Sequence, residues 1–418
     1  MKKILFIFLA ACFFFSCEKE TIVIPQRHAG RTILAFFWAN NNLSDNLRRN
    51  IMTMMNGLTE VTDSATLLVY WDGYENSTEP NWKTPTILRY TTNGRGGING
   101  YSKNEIEDMF SNSSRADIVG IGVVEKSYPS QISTKKQVMQ TVISDMMECY
   151  PSESYGIIFG SHGSGWLPTI TGTRSIGVDG VNANTAVIPE LAEVLRTVNP
   201  QKFDFVLFDA CMMGCAEVYY ELKDATRYCI ASVLDVPALG FPYERLMSHL
   251  YADNFKDHLV SICKNYIDYY NYNGWGTVSA VDCNQMEGLA QDVRKVILSN
   301  QENLKSVDAA ELQQYGKAGN NFKGYAYDMV QFVENLTGGT VPEEFVQQFN
   351  KAVIYTGYTP NPTSSLYRID GNNYCGMGMY IPNSSTTSKY LLWNNYFKSS
   401  IAWYHASGWA ETESIWGN

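Results

Sequence analysis

The apolar and polar residues of the chain follow two alternating patterns. Short continuous apolar runs, rich in Val, Ile and Phe, are separated by longer stretches in which apolar residues recur with a helical period. The short runs predict β-strands, and the longer stretches predict amphipathic helices. The predicted strands are residues 32–39, 66–72, 86–92, 116–124, 155–161, 203–209, 228–233 and 276–282. The clearest predicted helices are residues 43–58, 134–150 and 188–198.

This order of elements predicts an α/β fold. The strands read as continuous apolar runs, which indicates burial on both faces, and strands of that kind separated by helices are typical of a mainly parallel sheet sandwiched by helices. The core is expected over residues 31–300. Beyond a softer boundary near residues 300–320, a C-terminal region over residues 301–418 is expected to pack on the core. It contains a helical stretch and a predicted strand pair near residues 366–381.

The first seventeen residues, MKKILFIFLAACFFFSC, form a distinct segment. Two lysines precede an apolar run that has the length of a signal peptide and is too short to span a bilayer. Ser16 before Cys17, followed by polar residues, resembles a bacterial lipoprotein cleavage box, which implies a lipid on Cys17. Phe15 replaces the usual Leu of such a box, and a plain secretory signal is the alternative. Both readings predict export, with residues 18–30 as a tether.

Composition narrows the class of protein. Of the 418 residues, 45% are hydrophobic and 18% are charged, which is typical of a folded globular protein. The formal net charge of −10 argues against a nucleic-acid partner, because phosphate binding needs a basic surface. Seven cysteines follow the lipoprotein box, and their odd number and scattered spacing do not indicate a disulfide framework. We expect most of them to be small buried side chains and at least one to be an unpaired thiol.

Two reactive side chains follow predicted strands directly. The strand at residues 155–161 runs into His162, and the strand at residues 203–209 runs through Ala210 into Cys211. Sites in parallel sheets form outside the carboxyl ends of the strands, so the two side chains share a crevice if their strands are neighbours. A thiol beside an imidazole can form the nucleophilic thiolate. The N–H groups of Gly163 and Cys211 are then the expected donors to an oxyanion.

Each of these residues has a simpler interpretation. A cysteine that closes an apolar strand is commonly a packed thiol, and a histidine at a strand end is commonly a surface residue. A zinc site is weakly indicated, because Cys211 and Cys215 have three residues between them and no second Cys/His pair has ligand spacing. Ser161 and Ser164 beside His162 leave an α/β hydrolase as a remote alternative, although the G-x-S-x-G turn is absent.

The segments FGSHGSGW and FDFVLFDACMMGCAEV carry a specific resemblance. With TILAFFWANNNL, ASVLDVPALGFPY, GTVSAVD, YAYDMVQF, GMGMYIPN and WYHASGW, they resemble a clostripain-family cysteine peptidase over roughly residues 31–409. The resemblance implies a caspase-like fold with a C-terminal α/β extension. It implies that His162 and Cys211 form a catalytic dyad of a cysteine endopeptidase, which works through a thioester acyl-enzyme. The separation of the two blocks is also similar to that in caspases.

The resemblance also implies a pocket for Arg or Lys before the cleaved bond. Asp209 matches the acid of the family's Asp-Ala-Cys block, and a buried guanidinium or ammonium needs a charged partner. A strand-end acid satisfied by backbone N–H groups is the alternative. Ser232 and Asp235 are further candidates for this pocket, although the two apolar residues between them leave a partly apolar pocket open. Trp38 is either a wall of the pocket or a core residue.

The resemblance extends to processing and cofactors. Some family members cleave themselves at a basic residue after the histidine, so Arg174 is a candidate processing site, with an ordinary loop arginine as the alternative. No cofactor or metal is expected. Calcium stays open because some relatives respond to it, and Asp179 and Asp282 are acidic, but no calcium-loop motif is present.

Partners and location follow from these hypotheses. Substrates are expected to be proteins or peptides, and a lipid on Cys17 would anchor the enzyme in the bacterial cell envelope, at the outer membrane or the cell surface. The competing hypothesis is a non-catalytic surface lipoprotein that binds a peptide or a glycan.

Overall fold

The computed structural model describes residues 28–79, 82–111, 121–169, 172–173, 175–180, 182–315, 326–360 and 369–417. The predicted signal peptide, the lipidation site Cys17 and the candidate processing site Arg174 lie outside these residues. So do residues 18–27 of the predicted tether. Its last three residues belong to the first strand, which begins at His28.

The described residues form an α/β sandwich. Its strands are β1 (His28–Phe37), β2 (Ser64–Trp71), β3 (Thr86–Asn93), β4 (Val123–Ser127), β5 (Ser152–Gly160), β6 (Pro168–Thr169), β7 (Gly172–Thr173), β8 (Ile176–Asp179), β9 (Asn184–Ala186), β10 (Phe203–Asp209), β11 (Thr226–Ala231), β12 (Thr277–Asp282), β13 (Gln314–Tyr315), β14 (Ala326–Asp328), β15 (Val353–Tyr358) and β16 (Gly378–Met379). Its helices are α1 (Ser44–Leu58), α2 (Lys103–Ser111), α3 (Lys136–Cys149), α4 (Ile188–Val198), α5 (Ala216–Leu222), α6 (Tyr243–Tyr251), α7 (Phe255–Asn273), α8 (Met286–Ser299), α9 (Met329–Leu336), α10 (Glu343–Ala352), α11 (Ser388–Ser400), α12 (Trp403–Ala406) and α13 (Glu413–Trp416).

Within the described part of the chain, nine strands form the central sheet, in the order β15-β12-β11-β10-β5-β1-β2-β3-β4. The five strands from β11 to β2 are parallel, and the two strands at each edge run antiparallel to their inner neighbours. The carboxyl ends of β1, β2, β5, β10 and β11 therefore lie at one edge of the sheet. This edge carries the candidate site.

Two apolar layers explain why the strands read as continuous apolar runs. Alternate residues of β1 from Ile33 to Phe37 point to opposite faces, and all five are fully buried. One layer packs under α1, α2, α6 and α7, and the other under α3, α4, α5, α8 and the C-terminal helices. A strand buried on both faces has no polar side to alternate with the apolar one, so the sequence shows a run.

The mainly parallel sheet between helices confirms the predicted fold class. The observed bounds of β10 and α4 equal the predicted ones, and β3 ends one residue beyond the prediction. The C-terminal region departs from the expectation because it supplies β15 to the central sheet, antiparallel to β12, and so does not merely pack on the core. Near residues 366–381 the described strand is the two-residue β16. None of the helices in the described ranges is both long and apolar enough to cross a bilayer.

Candidate active site

His162 and Cys211 line one cavity of about 280 Å³. β5 and β10 are adjacent parallel strands, with Gly160 opposite Asp209, so the segments that follow them leave the sheet side by side. The predicted crevice at the carboxyl ends of these strands is therefore present. Other parts of its wall come from the start of α1, from the segment after β11 and from the residues before β12.

The Cys211 thiol lies where the segment after β10 meets the segment after β11. The Val236 N–H donates a hydrogen bond to Cys211 Sγ at 3.4 Å, and the Met212 N–H donates to Leu234 O at 2.9 Å. Met212 has φ +61°, an unusual value for a residue that has a Cβ, so a strained turn follows Cys211 directly. Burial, followed by the negative charge of Asp235, raises the pKa of Cys211 to about 12. The cavity without substrate therefore holds a neutral thiol at neutral pH.

His162 is fixed through its backbone and its ring. Its carbonyl accepts a hydrogen bond from the Gly177 N–H at 3.0 Å, so β8 lies behind the segment that carries the imidazole. The ring nitrogen Nε2 lies 2.7 Å from Asn42 Oδ1, and Asn42 follows β1 at the same edge of the sheet. Asn42 was not predicted as a site residue from the sequence. The only feature that could have indicated it is its place beyond the carboxyl end of a parallel strand, which it shares with many polar residues.

Gly163 brings the histidine segment close to the cysteine segment. A Cβ at position 163 would lie 2.6 Å from Cys211 O and 3.2 Å from Cys211 N, so only glycine fits without displacing the backbone. Among the hydrogen bonds of the described residues, neither the Gly163 N–H nor the Cys211 N–H is a donor. Both predicted oxyanion donors are therefore available to a ligand at this junction.

Asp209 and Asp235 bring negative charge to the cavity. Asp209 Oδ2 accepts hydrogen bonds from Asn50 Nδ2 at 2.9 Å, Tyr243 Oη at 2.9 Å and the Phe241 N–H at 3.3 Å. Burial raises the pKa of Asp209 to about 6, although the Tyr243 and Phe241 hydrogen bonds oppose the shift.

Asp235 lies beside the Cys211 thiol, and burial raises the pKa of its carboxyl group as well. The described residues that line the cavity include these two acids and His162, but no lysine or arginine. Asp209 is satisfied by protein donors, as one interpretation of the sequence expected. It also lines the cavity, as the other interpretation required.

Trp38 and Ser232 do not line the cavity, so the structure corrects their assignment to the pocket. Trp38 is fully buried, stacks on Phe159 at 5.4 Å between ring centroids and donates its indole N–H to Ser133 O at 3.0 Å. Ser232 is also fully buried, and its hydroxyl pairs with that of Thr277 at 2.7 Å. Alternation explains both positions, because each residue points into an apolar layer at its strand end. The aromatic residue of the cavity wall is instead Trp275, which the sequence analysis did not select.

The acids considered for calcium lie in separate places. Asp282 accepts from the Asn284 N–H at the start of a single helical turn, whereas Asp179 lies against the buried Asp72 and accepts from the Ser133 N–H. Within the described ranges, no three or more His, Cys, Asp or Glu side chains cluster as metal ligands would.

Cys215 and Ser161, the other candidates from the sequence, lie in surroundings that indicate a structural role. Cys215 is buried, and the seven cysteines after Cys17 are all free thiols, four of them fully enclosed. Ser161 is buried, accepts from the Val178 N–H and donates to Trp38 O. A hydroxyl held in this way is poorly placed for the alternative hydrolase chemistry.

Comparison with known proteins identifies the family. The model of the clostripain family matches residues 35–416. A secreted cysteine protease from Bacteroides thetaiotaomicron, solved with an irreversible peptide inhibitor, is similar at 26% identity and a TM-score of 0.72, over 91% of this chain and 99% of that one. An inactive zymogen protease from Parabacteroides distasonis is similar at 26% identity and a TM-score of 0.70, over 92% and 99% of the two chains.

A third structure supports the fold alone. A second secreted cysteine protease from Bacteroides thetaiotaomicron has a TM-score of 0.68 at 18% identity, over 90% of this chain and 99% of that one. No curated protein matches the chain. The family match spans nearly the whole sequence and includes both segments of the cavity, and the structures that resemble the chain are cysteine proteases. The chain therefore belongs to the clostripain family and is a cysteine peptidase with a caspase-like α/β fold.

Proposed function

We propose that the chain is an endopeptidase that cleaves after Arg or Lys through a Cys211–His162 dyad. The observation that carries this proposal is the content of the cavity: a thiol, an imidazole and two carboxylates, with no lysine or arginine among its described lining residues. A carboxylate partly removed from water is stabilised by a positive partner, and Asp235, which is half-buried, takes part in none of the ion pairs among the described residues. A basic side chain of the substrate supplies that partner.

The reaction proceeds as acyl transfer. The Cys211 thiol proton passes to His162 as the sulfur bonds to the carbonyl carbon, and the Gly163 and Cys211 N–H groups hold the resulting oxyanion. The C–N bond then breaks as His162 returns the proton to the leaving amine, which leaves a thioester. Water attacks the thioester while His162 takes its proton. The acid product leaves, and the proton restores the Cys211 thiol.

The neutral thiol of Cys211 is consistent with a reaction that begins only when a substrate is bound. Burial, followed by the negative charge of Asp235, holds the pKa of Cys211 high, and a bound guanidinium or ammonium offsets the part that is due to the charge. Thiolate formation then becomes easier when the preferred side chain is in place. Trp275 adds an apolar wall that suits the methylene stem of Arg or Lys.

Location and processing complete the proposal. The N-terminal segment supports export, with a lipid on Cys17 as the anchor at the outer membrane or cell surface of a bacterium. Arg174 is the proposed site of self-cleavage. The support is its basic character in a segment between the histidine block and Asp179, together with the similarity of the chain to the inactive zymogen protease from Parabacteroides distasonis.

The test is a peptide-library cleavage profile of the purified protein with Cys211→Ala and His162→Ala as paired blanks. The expected result is cleavage after Arg and Lys that both substitutions abolish, unchanged by EDTA because no step uses a metal. Cleavage retained in Cys211→Ala would refute the nucleophile. Cleavage without a basic preference would refute the pocket, and no cleavage at all, with Cys211 inert to a peptidyl thiol-reactive probe, would favour the binding lipoprotein.

Self-cleavage is tested with the same purified proteins. A wild-type band that splits after Arg174 while Cys211→Ala stays whole supports self-cleavage, and identical intact bands refute it.

A further inference from the structure

The loop between β1 and α1 presents an amide to the catalytic imidazole. Asn42 is exposed to solvent, and its Oδ1 lies 2.7 Å from His162 Nε2. An amide oxygen only accepts hydrogen bonds, so Nε2 carries the proton in this pair. Nδ1 is then the ring nitrogen with a lone pair, and it is the nitrogen that can take a proton from a thiol.

The backbone on either side of Asn42 is tightly held. The Asn41 side chain donates to Trp38 O at 2.8 Å and to Val178 O at 2.7 Å, and its Oδ1 accepts from the Leu43 N–H at 2.8 Å. The preceding residue therefore ties the loop to the end of β1 and to β8. The next residue leads directly into α1.

The same strand holds both partners. β8 accepts the Asn41 amide through Val178 and supports His162 through the Gly177 N–H, which donates to His162 O at 3.0 Å. The amide and the imidazole are thus fixed on a common backbone frame. An exposed hydrogen bond is ordinarily weak, but one whose two sides are already ordered loses little conformational entropy when it forms.

We propose that Asn42 is a positioning residue for the peptidase reaction, which holds the His162 imidazole in the tautomer and orientation that accept the Cys211 proton. The inference rests on the proposed dyad. Asn42 touches neither the thiol nor the scissile bond and acts only through His162. It extends the dyad by a third side chain, from a segment that the histidine and cysteine blocks do not contain.

The experiment compares Asn42→Ala, Asn42→Asp and wild type on an Arg reporter peptide. Asn42→Ala is expected to lower kcat by about ten- to a hundred-fold with little change in KM, because proton transfer suffers while the pocket is intact. Asn42→Asp keeps an acceptor and is expected to recover most of kcat. Its negative charge raises the pKa of the imidazole, so the acidic limb of the kcat profile moves to higher pH. Asn104→Ala, at an exposed position of α2, is the matched control.

The outcomes separate this inference from the proposed function. An inactive wild-type protein would refute the proposed function itself. An active wild type with unchanged kcat in Asn42→Ala would overturn the positioning role. A fall in kcat without recovery in Asn42→Asp, or without a shift of its acidic limb, would mean that Asn42 supports the loop only and would also overturn the inference.

Discussion

At the scale of the residue, the proposed nucleophile Cys211 is defined by its surroundings more than by its own chemistry. A free thiol is open to oxidation, and the thiolate is the reactive form. Cys211 lies in a pocket where burial and the carboxylate of Asp235 favour the neutral thiol. The charge of Asp235 adds to the effect of burial on the thiol, and it is this charge that the proposed substrate would neutralise.

Asp235→Asn is predicted to separate the effect of Asp235 on the pKa of Cys211 from its effect on the binding of a basic side chain. Removal of the negative charge lowers the pKa of Cys211, so the thiolate forms at lower pH and iodoacetamide alkylates Cys211 faster at pH 8. Cleavage of Arg and Lys reporters is expected to fall about tenfold or more, because the pocket loses a carboxylate. The measurements are the pH profile of alkylation, followed by mass spectrometry, and kcat/KM for the reporters. Asp253→Asn, at an exposed position outside the cavity, serves as the control. An alkylation profile that stays in place or moves to higher pH would contradict the argument.

The sequence was sufficient for the residues whose place follows from strand ends. His162 and Cys211 each follow a buried parallel strand directly, and Asp209 is the last residue of one, so their meeting depends only on the two strands being neighbours. Asn42 and Trp275 could not be found in this way. Asn42 reaches His162, and Trp275 reaches the cavity, each from a connection outside the two blocks. The path of a connection depends on tertiary hydrogen bonds rather than on periodicity.

At the scale of the element, the site depends on two segments that touch through backbone atoms. The segment after β5 lies against the segment after β10, and β8 supports it from behind. The long strands and helices were predictable because buried runs and amphipathic stretches leave clear patterns. β8 and its partner β9 are four and three residues long, too short to leave one.

Gly163→Ala is predicted to abolish most of the activity while leaving the fold intact. The added Cβ would lie 2.6 Å from Cys211 O, so the histidine and cysteine segments must separate and the two oxyanion donors lose their alignment. A loss of one donor alone typically costs about a hundred- to a thousand-fold in kcat, and we expect a loss in that range. The measurement is kcat on the reporter peptide with the circular dichroism spectrum as a check of folding.

Gly288→Ala is the matched control for that change. Its Cβ would meet only the end of the flexible Gln348 side chain, and alanine suits a helix better than glycine. Activity equal to wild type in Gly163→Ala would refute the close approach of the two segments.

At the scale of the whole molecule, the C-terminal region is tied to the catalytic core behind the nucleophile. The Gly378 N–H donates to Gly214 O at 3.0 Å, and the Tyr380 N–H donates to Glu217 Oε1 at 2.7 Å. Glu217 lies in the first turn of α5, the helix after Cys211, and is fully buried. Contacts with the core therefore cross the predicted boundary near residues 300–320, since β15 pairs with β12 and Gly378 of β16 bridges to Cys215. Composition could not reveal this, because a strand that crosses back to a distant sheet looks the same as one that pairs locally.

Glu217→Gln is predicted to remove a pH dependence of stability from this junction. Burial raises the pKa of Glu217 from its ordinary value to about 7, so the folded protein keeps a proton that the unfolded chain loses at lower pH. The free energy of unfolding of the wild type therefore falls as pH rises from about 4.5 to about 7, by up to about 3 kcal/mol from this group.

The glutamine side chain of the Glu217→Gln variant is uncharged throughout and keeps an oxygen for the Tyr380 N–H. Urea unfolding at pH 5 and pH 8 should give similar midpoints for the two proteins at pH 5 and a higher midpoint for the variant at pH 8. Glu190→Gln, at an exposed position of α4, should follow the wild type at both values. If Glu217→Gln follows the wild type as well, the buried carboxyl group does not control the attachment of the C-terminal region.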